Sequence, residues 1–287
     1  MESIPLSVII PVSNDIKIKK CLSSVEGNPE IIVVLNNNPS KEVIDTTKED
    51  KRCIPVFLTA KGCNLAQVIN IGVQKAKNEK IVIMNSDCVF PNKILSKINF
   101  NLDRFDVVKA RLSFLHNTFS ESLVAKVRYL YSHIFNNQKN IFGPGMAFNK
   151  RIIEKVGGYL FDEDMGWGED SDLSRRIYKA QLSFLFMEEE IVHLPESVWH
   201  DLKIAVRIGR GKRIRDYKDS ISFLMGATNL FYSIILDRYR HIRLSLKHYG
   251  LLVTIYLLIW KAFYFAGYFY FINSKNLGKL WIKTKAS

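Results

Sequence analysis

The sequence lacks the features that mark several common protein classes. Cysteine is scarce: Cys21, Cys53, Cys63 and Cys88 make no C-x-x-C pair and leave the second half of the chain empty. That excludes a disulfide framework and a zinc-finger spacing, and it favours a reducing compartment. Glycine-rich phosphate loops are missing too. No G-x-G-x-x-G follows the first apolar run, and no G-x-x-x-x-G-K occurs anywhere. Dinucleotide-binding dehydrogenases and P-loop NTPases thereby lose their main signature. The opening Met1-Glu2-Ser3-Ile4-Pro5 has no basic residues ahead of an apolar core, so no secretory signal is expected. Repeats and low-complexity tracts are absent. Acidic residues nearly vanish after position 200: residues 201–287 hold four Asp against 16 Lys or Arg, a net +12 of the chain's +13.

What is present can build a large core. With 287 residues, 47% hydrophobic and 12% aromatic, the chain is neither disordered nor fibrous. Two regions are expected: a near-neutral domain over 1–200 and a basic, aromatic helical region over 201–287. The second region carries the most apolar stretch, Tyr249 to Ile272, which is 24 residues or about 36 Å as a helix. Lys261 sits mid-stretch, where a spanning helix would lose roughly 2.5–3.5 kcal/mol. Basic residues flank both sides: Arg238, Arg240, Arg243 and Lys247 before, Lys275, Lys279, Lys283 and Lys285 after. Basic, apolar and aromatic residues together predict association with a membrane surface, peripheral or monotopic, with a single span as the alternative. The run Lys203, Arg207, Arg210, Lys212, Arg213 and Arg215 suits phosphate or lipid contact as well as it suits a solvated helix face. Nucleic acid is disfavoured as a partner, because the charge collects beside the apolar stretch.

The N-terminal region alternates strands and helices. Leu6-Ser-Val-Ile-Ile-Pro11 predicts a buried strand stopped by Pro11, and Ile31–Leu35, Ile54–Leu58 and Ile81–Met84 predict three more. Leu65 to Ala76 has helical spacing. This rhythm implies an α/β fold with a mainly parallel, Rossmann-like sheet flanked by helices. Such sheets bind ligands where their strands end. The turns at Pro11–Asn14, Asn36–Asn38 and Asn85–Asp87 are therefore candidates, and all are polar. Asp87 could hold Mg²⁺ or Mn²⁺ on a diphosphate, or could simply end its strand. Asp162, Glu163, Asp164, Glu169, Asp170 and Asp172 crowd around Trp167. Acids there complement a helix N-terminus, or supply a general base. Trp167 can stack on a sugar ring or belong to the core. His193 is a packed side chain unless the fold brings it beside Asp87.

The order of these features resembles the glycosyltransferases of family 2, with the GT-A fold, over roughly residues 6–197. The resemblance is carried by Leu6–Asn14, by Asn64-Leu-Ala-Gln-Val-Ile-Asn-Ile-Gly72, by Asn85-Ser86-Asp87 in place of D-x-D, and by Gly143-Pro-Gly-Met-Ala-Phe148. Gly168-Glu169-Asp170-Ser171-Asp172-Leu173 with Arg176 is similar to "ED-x-DL-x-x-R", and His193 to Ser197 to "H-x-x-x-S". The resemblance implies a metal-assisted, inverting hexosyltransferase using a nucleoside-diphosphate sugar. Asp87 and His193 would ligate Mn²⁺ or Mg²⁺. Val12, Ser13, Asn36, Asn85 and Arg210 would bind the donor. Asp170, with Glu169 beside it, would be the catalytic base, and Trp167 and Gly145 would meet the acceptor. Two positions depart from the family pattern: the second strand ends in Leu35-Asn36 rather than Asp, and Asn85 replaces a carboxylate. The processive Q-x-x-R-W is absent, which favours single addition. With the basic tail, a lipid-linked or membrane-proximal glycan acceptor at the cytoplasmic face of a membrane is expected. The alternatives are a nucleotide-sugar-binding pseudoenzyme and a nucleotidyltransferase. The latter usually opens with a Gly-rich basic loop that is missing here. The oligomeric state, the donor sugar and its nucleotide are not encoded in any motif.

Overall fold

The computed structural model describes residues 4–59, 62–135, 141 and 143–270, apart from the side chains of 223 and 229–238. The chain divides into two compact units, Met1–Pro195 and Glu196–Ser287.

In the first unit the β-branched runs form a parallel block. β1 (Ser7–Val12), β2 (Glu30–Leu35), β3 (Cys53–Phe57) and β4 (Lys80–Ile83) lie in the order β3-β2-β1-β4. β1 is buried throughout, as a parallel strand covered on both faces must be. The strand does not stop at Pro11. It runs on to Val12, because Pro11 falls where β4 has already ended. The missing N–H of proline therefore breaks no ladder bond. The helices α1 (Ile18–Ser23), α2 (Lys41–Glu49) and α3 (Leu65–Lys75) connect these strands. α3 opens with a capping box: Gln67 N–H donates to Asn64 Oδ1 and Asn64 N–H to Gln67 Oε1, both at 3.0 Å.

The second half of the unit completes an eight-stranded sheet, β3-β2-β1-β4-β7-β6-β8-β5. Its elements are β5 (Cys88–Val89), α4 (Ile94–Asn101), β6 (Val107–Phe114), α5 (Phe119–Tyr129), β7 (Met146–Asn149), α6 (Ile152–Lys155), α7 (Glu169–Lys179) and β8 (Phe184–His193). A π-helical turn, Leu130–Phe135, continues α5. β7 is antiparallel to β4 and β6, and β5 is antiparallel to β8. The sheet is thus mixed but mostly parallel, with an apolar core on each face. One core includes Val8, Ile10, Val12 and Val33, the other Ile9, Ile32, Phe148 and Leu173.

The second unit is helical. α8 (Val198–Lys218) starts two residues before position 200. α9 (Phe223–Tyr270) is interrupted at Gly250, where φ 78° and ψ −170° are not helical. The two segments of α9 fold back on each other: Thr254 Oγ1 donates to Ser245 Oγ at 2.9 Å, and Lys261 Nζ meets His241 Nδ1 at 2.9 Å. Segment 251–270 runs alongside α8 in the same direction. Tyr256 donates to Asp201 at 2.6 Å and Tyr268 to Asp216 at 2.9 Å. Gly209 and Gly267 let the backbones touch, since a Cβ on either would collide with the carbonyl of Tyr264 or Val206. The residues Tyr239–Tyr270 are apolar and long enough to cross a membrane by composition, but the break at Gly250 divides them. The last predicted apolar residue, Ile272, and Lys275, Lys279, Lys283 and Lys285 lie outside the described residues.

Candidate active site

The parallel strands β1, β2 and β4 place their following turns at one edge of the sheet. Asn36 N–H donates to Val12 O at 3.0 Å, which ties the first two turns together. Asn36 is buried, and Asn37 and Asn38 take left-handed φ values of 52° and 57°. Ser86 Oγ donates to Asp15 Oδ2 at 3.1 Å and joins the first turn to the third. Val12 packs its side chain into the core, so only its backbone can face a ligand; Ser13 is half-buried at the edge. Asn85 caps the third turn, its carbonyl accepting from Cys88 N–H at 3.2 Å.

The smallest strand brings the third turn to its partner. β5 pairs Cys88 with His193 and Val89 with Val192, and Leu194 N–H donates to Asp87 O at 2.8 Å. His193 Nε2 consequently sits 3.4 Å from Asp87 Oδ2. The other ring nitrogen, Nδ1, lies 2.8 Å from the Leu194 carbonyl and must donate to it. In the neutral ring this leaves a lone pair on Nε2, aimed at Asp87 and Arg128. Asp87, Cys88 and His193 offer donor atoms within 4.8 Å of one another. A carboxylate and an imidazole suit Mn²⁺ or Mg²⁺, but the thiol does not. Burial pushes the Cys88 thiol well above its ordinary range, and it points at Asp87 Oδ1 from 3.6 Å as a neutral S–H. The residues therefore fit a divalent cation as a two-residue site that needs further oxygens from the ligand. Arg128 Nη1 stands 3.1 Å from His193 Nε2, a second source of positive charge at the same place.

The acidic cluster is resolved by its partners. Asp172 accepts from Arg176 Nε at 2.8 Å and from Arg175 Nη2 at 2.9 Å, and these cations hold its carboxyl below the usual range. Arg176 also donates to the carbonyls of Val156, Tyr159 and Leu160. The Asp172–Arg176 pair is thus a clamp that fixes α7 on the preceding turn. From the other side, Asn70 Nδ2 donates to Phe161 O at 2.8 Å and Glu163 Oε1 at 3.0 Å. Half-buried Trp167 lies on the loop held between these anchors. Gly168, at φ 84°, then delivers Glu169 and Asp170 to the first turn of α7.

The two adjacent carboxyls differ in environment. Glu169 is buried, its Oε2 has no hydrogen-bond partner, and burial with the charge of Asp170 pushes its pKa up to about 8. Of the two, Glu169 is the one whose surroundings favour the protonated form. Asp170 is half-exposed, with Oδ1 accepting from Ser171 N–H at 2.7 Å. Gly145 is buried at φ +75°, and a Cβ there would collide with Ile191. Arg210 belongs to the second unit, on α8, with its guanidinium 4.9 Å from the centre of the Tyr270 ring.

Three residues escaped the sequence reading. Asp15 and Arg128 stand among ordinary polar and helical neighbours, with no local signal. Lys109 does carry one: it interrupts the apolar run Val107-Val108-Lys109-Ala110 in the middle of β6.

Comparisons with known proteins bear on the family and the fold. Residues 7–156 match the profile described as glycosyl transferase family 2. Among solved structures, the chain is similar to the crystal structure of S. aureus TarS 1–349, at 15% identity and a TM-score of 0.52, covering 93% of this chain and 90% of that one. The same fragment in complex with UDP aligns at 16% identity over 93% and 89% of the two chains, with a TM-score of 0.52. In complex with UDP-GlcNAc it aligns at 14% identity over the same shares, with a TM-score of 0.51. At such identities the likeness concerns the fold. A search of curated protein sequences finds no match.

Proposed function

We propose that this chain, which belongs to glycosyl transferase family 2, moves a sugar from a UDP-sugar to an acceptor hydroxyl with inversion at the anomeric carbon. The observation that carries the reading is the pair of carboxyls in the first turn of α7, Glu169 buried with no hydrogen-bond partner on Oε2 and Asp170 half-exposed beside it. Direct displacement needs one base of this kind. Asp170 takes the proton from the acceptor hydroxyl as the oxygen attacks. The turns after β1, β2 and β4, including Ser13, Asn36 and Asn85, receive the nucleoside. Asp87 and His193 would hold a Mn²⁺ or Mg²⁺ ion, which would supply charge to the departing diphosphate. Trp167 and the turn at Gly145 border the acceptor. A role for Arg210 at the donor remains part of the same proposal.

The donor proposal rests on the complexes of TarS with UDP and UDP-GlcNAc. The acceptor is proposed to be a glycan at a membrane, because segment 251–270 keeps an apolar face outward. Leu251, Leu252, Ile255, Leu258, Ile259 and Phe269 are exposed, while Tyr256, Leu257, Trp260 and Tyr268 are buried. Lys261 turns inward to His241, whose imidazole is pushed down to about 3 by burial and the Lys261 charge and so accepts as a neutral base. This favours a surface-lying helix on a cytoplasmic leaflet over a span. A panel of nucleotide sugars with Mn²⁺ or Mg²⁺, scored by nucleoside diphosphate release, tests the reading. Release from UDP-GlcNAc is expected, and release from no donor would contradict it. Arg128 favours a second reading of the same reaction, in which its guanidinium rather than an ion neutralises the diphosphate. Full turnover in EDTA would select it.

A further inference from the structure

Lys109 is a charged side chain in an interior strand. β6 has β7 on one side and β8 on the other, and Lys109 is paired with Met146 and Phe186. It is 5% exposed. Its ammonium donates to Ala110 O at 2.5 Å and to Pro144 O at 2.7 Å. Pro144 is the centre of the Gly143–Gly145 turn. That turn is tied down further by Gly145 N–H to Ile83 O at 2.8 Å and by Ala110 N–H to Gly145 O at 3.1 Å. Among the described residues no carboxylate touches the ammonium, so burial lowers its pKa to about 7. Two groups act on it from a distance, Cys88 on β5 and Asp170 on α7. The Cys88 thiol stays neutral, so Asp170 supplies the compensating charge. His133, on the π-helical turn, feels the same ammonium as a repulsion that disfavours its own charging.

A lysine with no counter-ion in contact costs stability, and methionine would fill the same space without that cost. Two carbonyls and a distant carboxylate are what it gains. We infer that Lys109 is a positioning residue for the transfer reaction: its ammonium fixes the Pro144 carbonyl, and with it the acceptor-side turn. This rests on the proposed placement of the acceptor at the Gly143–Gly145 turn.

The test compares the full-length wild type with Lys109→Met. UDP release from UDP-GlcNAc with Mn²⁺ is followed from pH 5.5 to 9.5, and amide hydrogen exchange is followed alongside. The variant is expected to keep KM for UDP-GlcNAc within about twofold while kcat falls roughly 10- to 100-fold. Exchange at Gly145 and Met146 should quicken about tenfold or more, with β1 and β2 unchanged. Unchanged exchange in the turn, or an unchanged kcat, overturns the inference. Should the variant not fold, the wild type decides. Turnover should fall as Lys109 deprotonates near pH 7, and it should still fall in Glu169→Gln, which removes a neighbouring group that titrates over the same range. A flat profile from pH 6.5 to 9 in both proteins overturns the inference. Should the wild type release no UDP from any nucleotide sugar, the functional reading fails, and the exchange result alone decides whether Lys109 holds the turn.

Discussion

The two compact units bury ionisable side chains on opposite terms. In Glu196–Ser287 several buried charges meet partners directly: Asp201 accepts from Tyr256, Asp216 from Tyr268 and Lys212, Lys261 contacts His241, and Arg213 lies over the Tyr268 ring. These contacts stitch α8 to α9 and the two segments of α9 to each other. In Met1–Pro195 most charges are also paired, Asp172 with Arg176 and Asp50 with Arg52 among them. Lys109 and Glu169, though, are buried with no oppositely charged side chain in contact among the described residues. Both act on Asp170. Packing satisfies its polar groups, whereas a reaction centre keeps some in reserve. The contacts named in the second unit join helix to helix, whereas Lys109 and Glu169 in the first unit lie beside the proposed site.

The difference can be broken at its strongest point. Asp170→Asn should lower transfer by about 10²–10⁴ while leaving donor binding intact, checked by UDP release and by calorimetric titration with UDP-GlcNAc. Near-normal turnover would move the base to another carboxyl. Asp87→Ala and His193→Ala should each weaken the Mn²⁺ dependence of donor binding by about tenfold or more. An unchanged Mn²⁺ titration would leave Arg128 as the charge at the diphosphate.

Much of this contrast was hidden in the sequence. β1, β2 and β4 are legible because a strand buried on both faces needs a continuous β-branched run, and Ile31–Leu35 is one. The polar turns after them are legible because turn residues follow apolar runs. β5 is not legible: two residues carry no periodicity, yet their pairing with β8 is what sets His193 against Asp87. The continuous apolar stretch after Tyr249 hides its own helix break, since the non-helical backbone of Gly250 comes from the fold-back of α9. The ED segment shows its acids but not which one is buried. That depends on where α7 lands, and so on Arg176 and Asn70.

Smaller effects should separate the units by stability. Tyr256→Phe removes a hydrogen bond from the buried Asp201 carboxylate and is expected to destabilise the helical unit by about 1–3 kcal/mol, read as a lower denaturant midpoint. Its UDP release per folded molecule should stay unchanged. In the first unit the sign of the pH effect follows from Glu169. Its folded pKa, about 8, lies above the unfolded 4.5, so the neutral form stabilises the fold below pH 4.5 and this contribution is lost as pH rises through 8. Lys109 works in the opposite sense above pH 7, because its folded pKa of about 7 lies below the unfolded 10.5. The Glu169 effect is therefore read below it: between pH 5 and 7 the wild-type Tm should drop by about 2–6 °C, and Glu169→Gln should flatten part of that slope. Equal slopes in both proteins would assign the loss elsewhere. Ile255→Gln with Ile259→Gln should reduce sedimentation with anionic liposomes without altering Tm, and unchanged sedimentation would remove the apolar face from the membrane contact.

The central claim is a single ionised base and direct displacement. It is tested most directly by the configuration of the first-formed sugar. With UDP-GlcNAc, whose sugar is α-linked, and water as a slow acceptor, early proton NMR spectra should show β-GlcNAc before mutarotation, and Asp170→Asn should abolish the signal. First-formed α-GlcNAc would contradict the account, because direct back-side attack by the activated acceptor oxygen inverts the anomeric carbon.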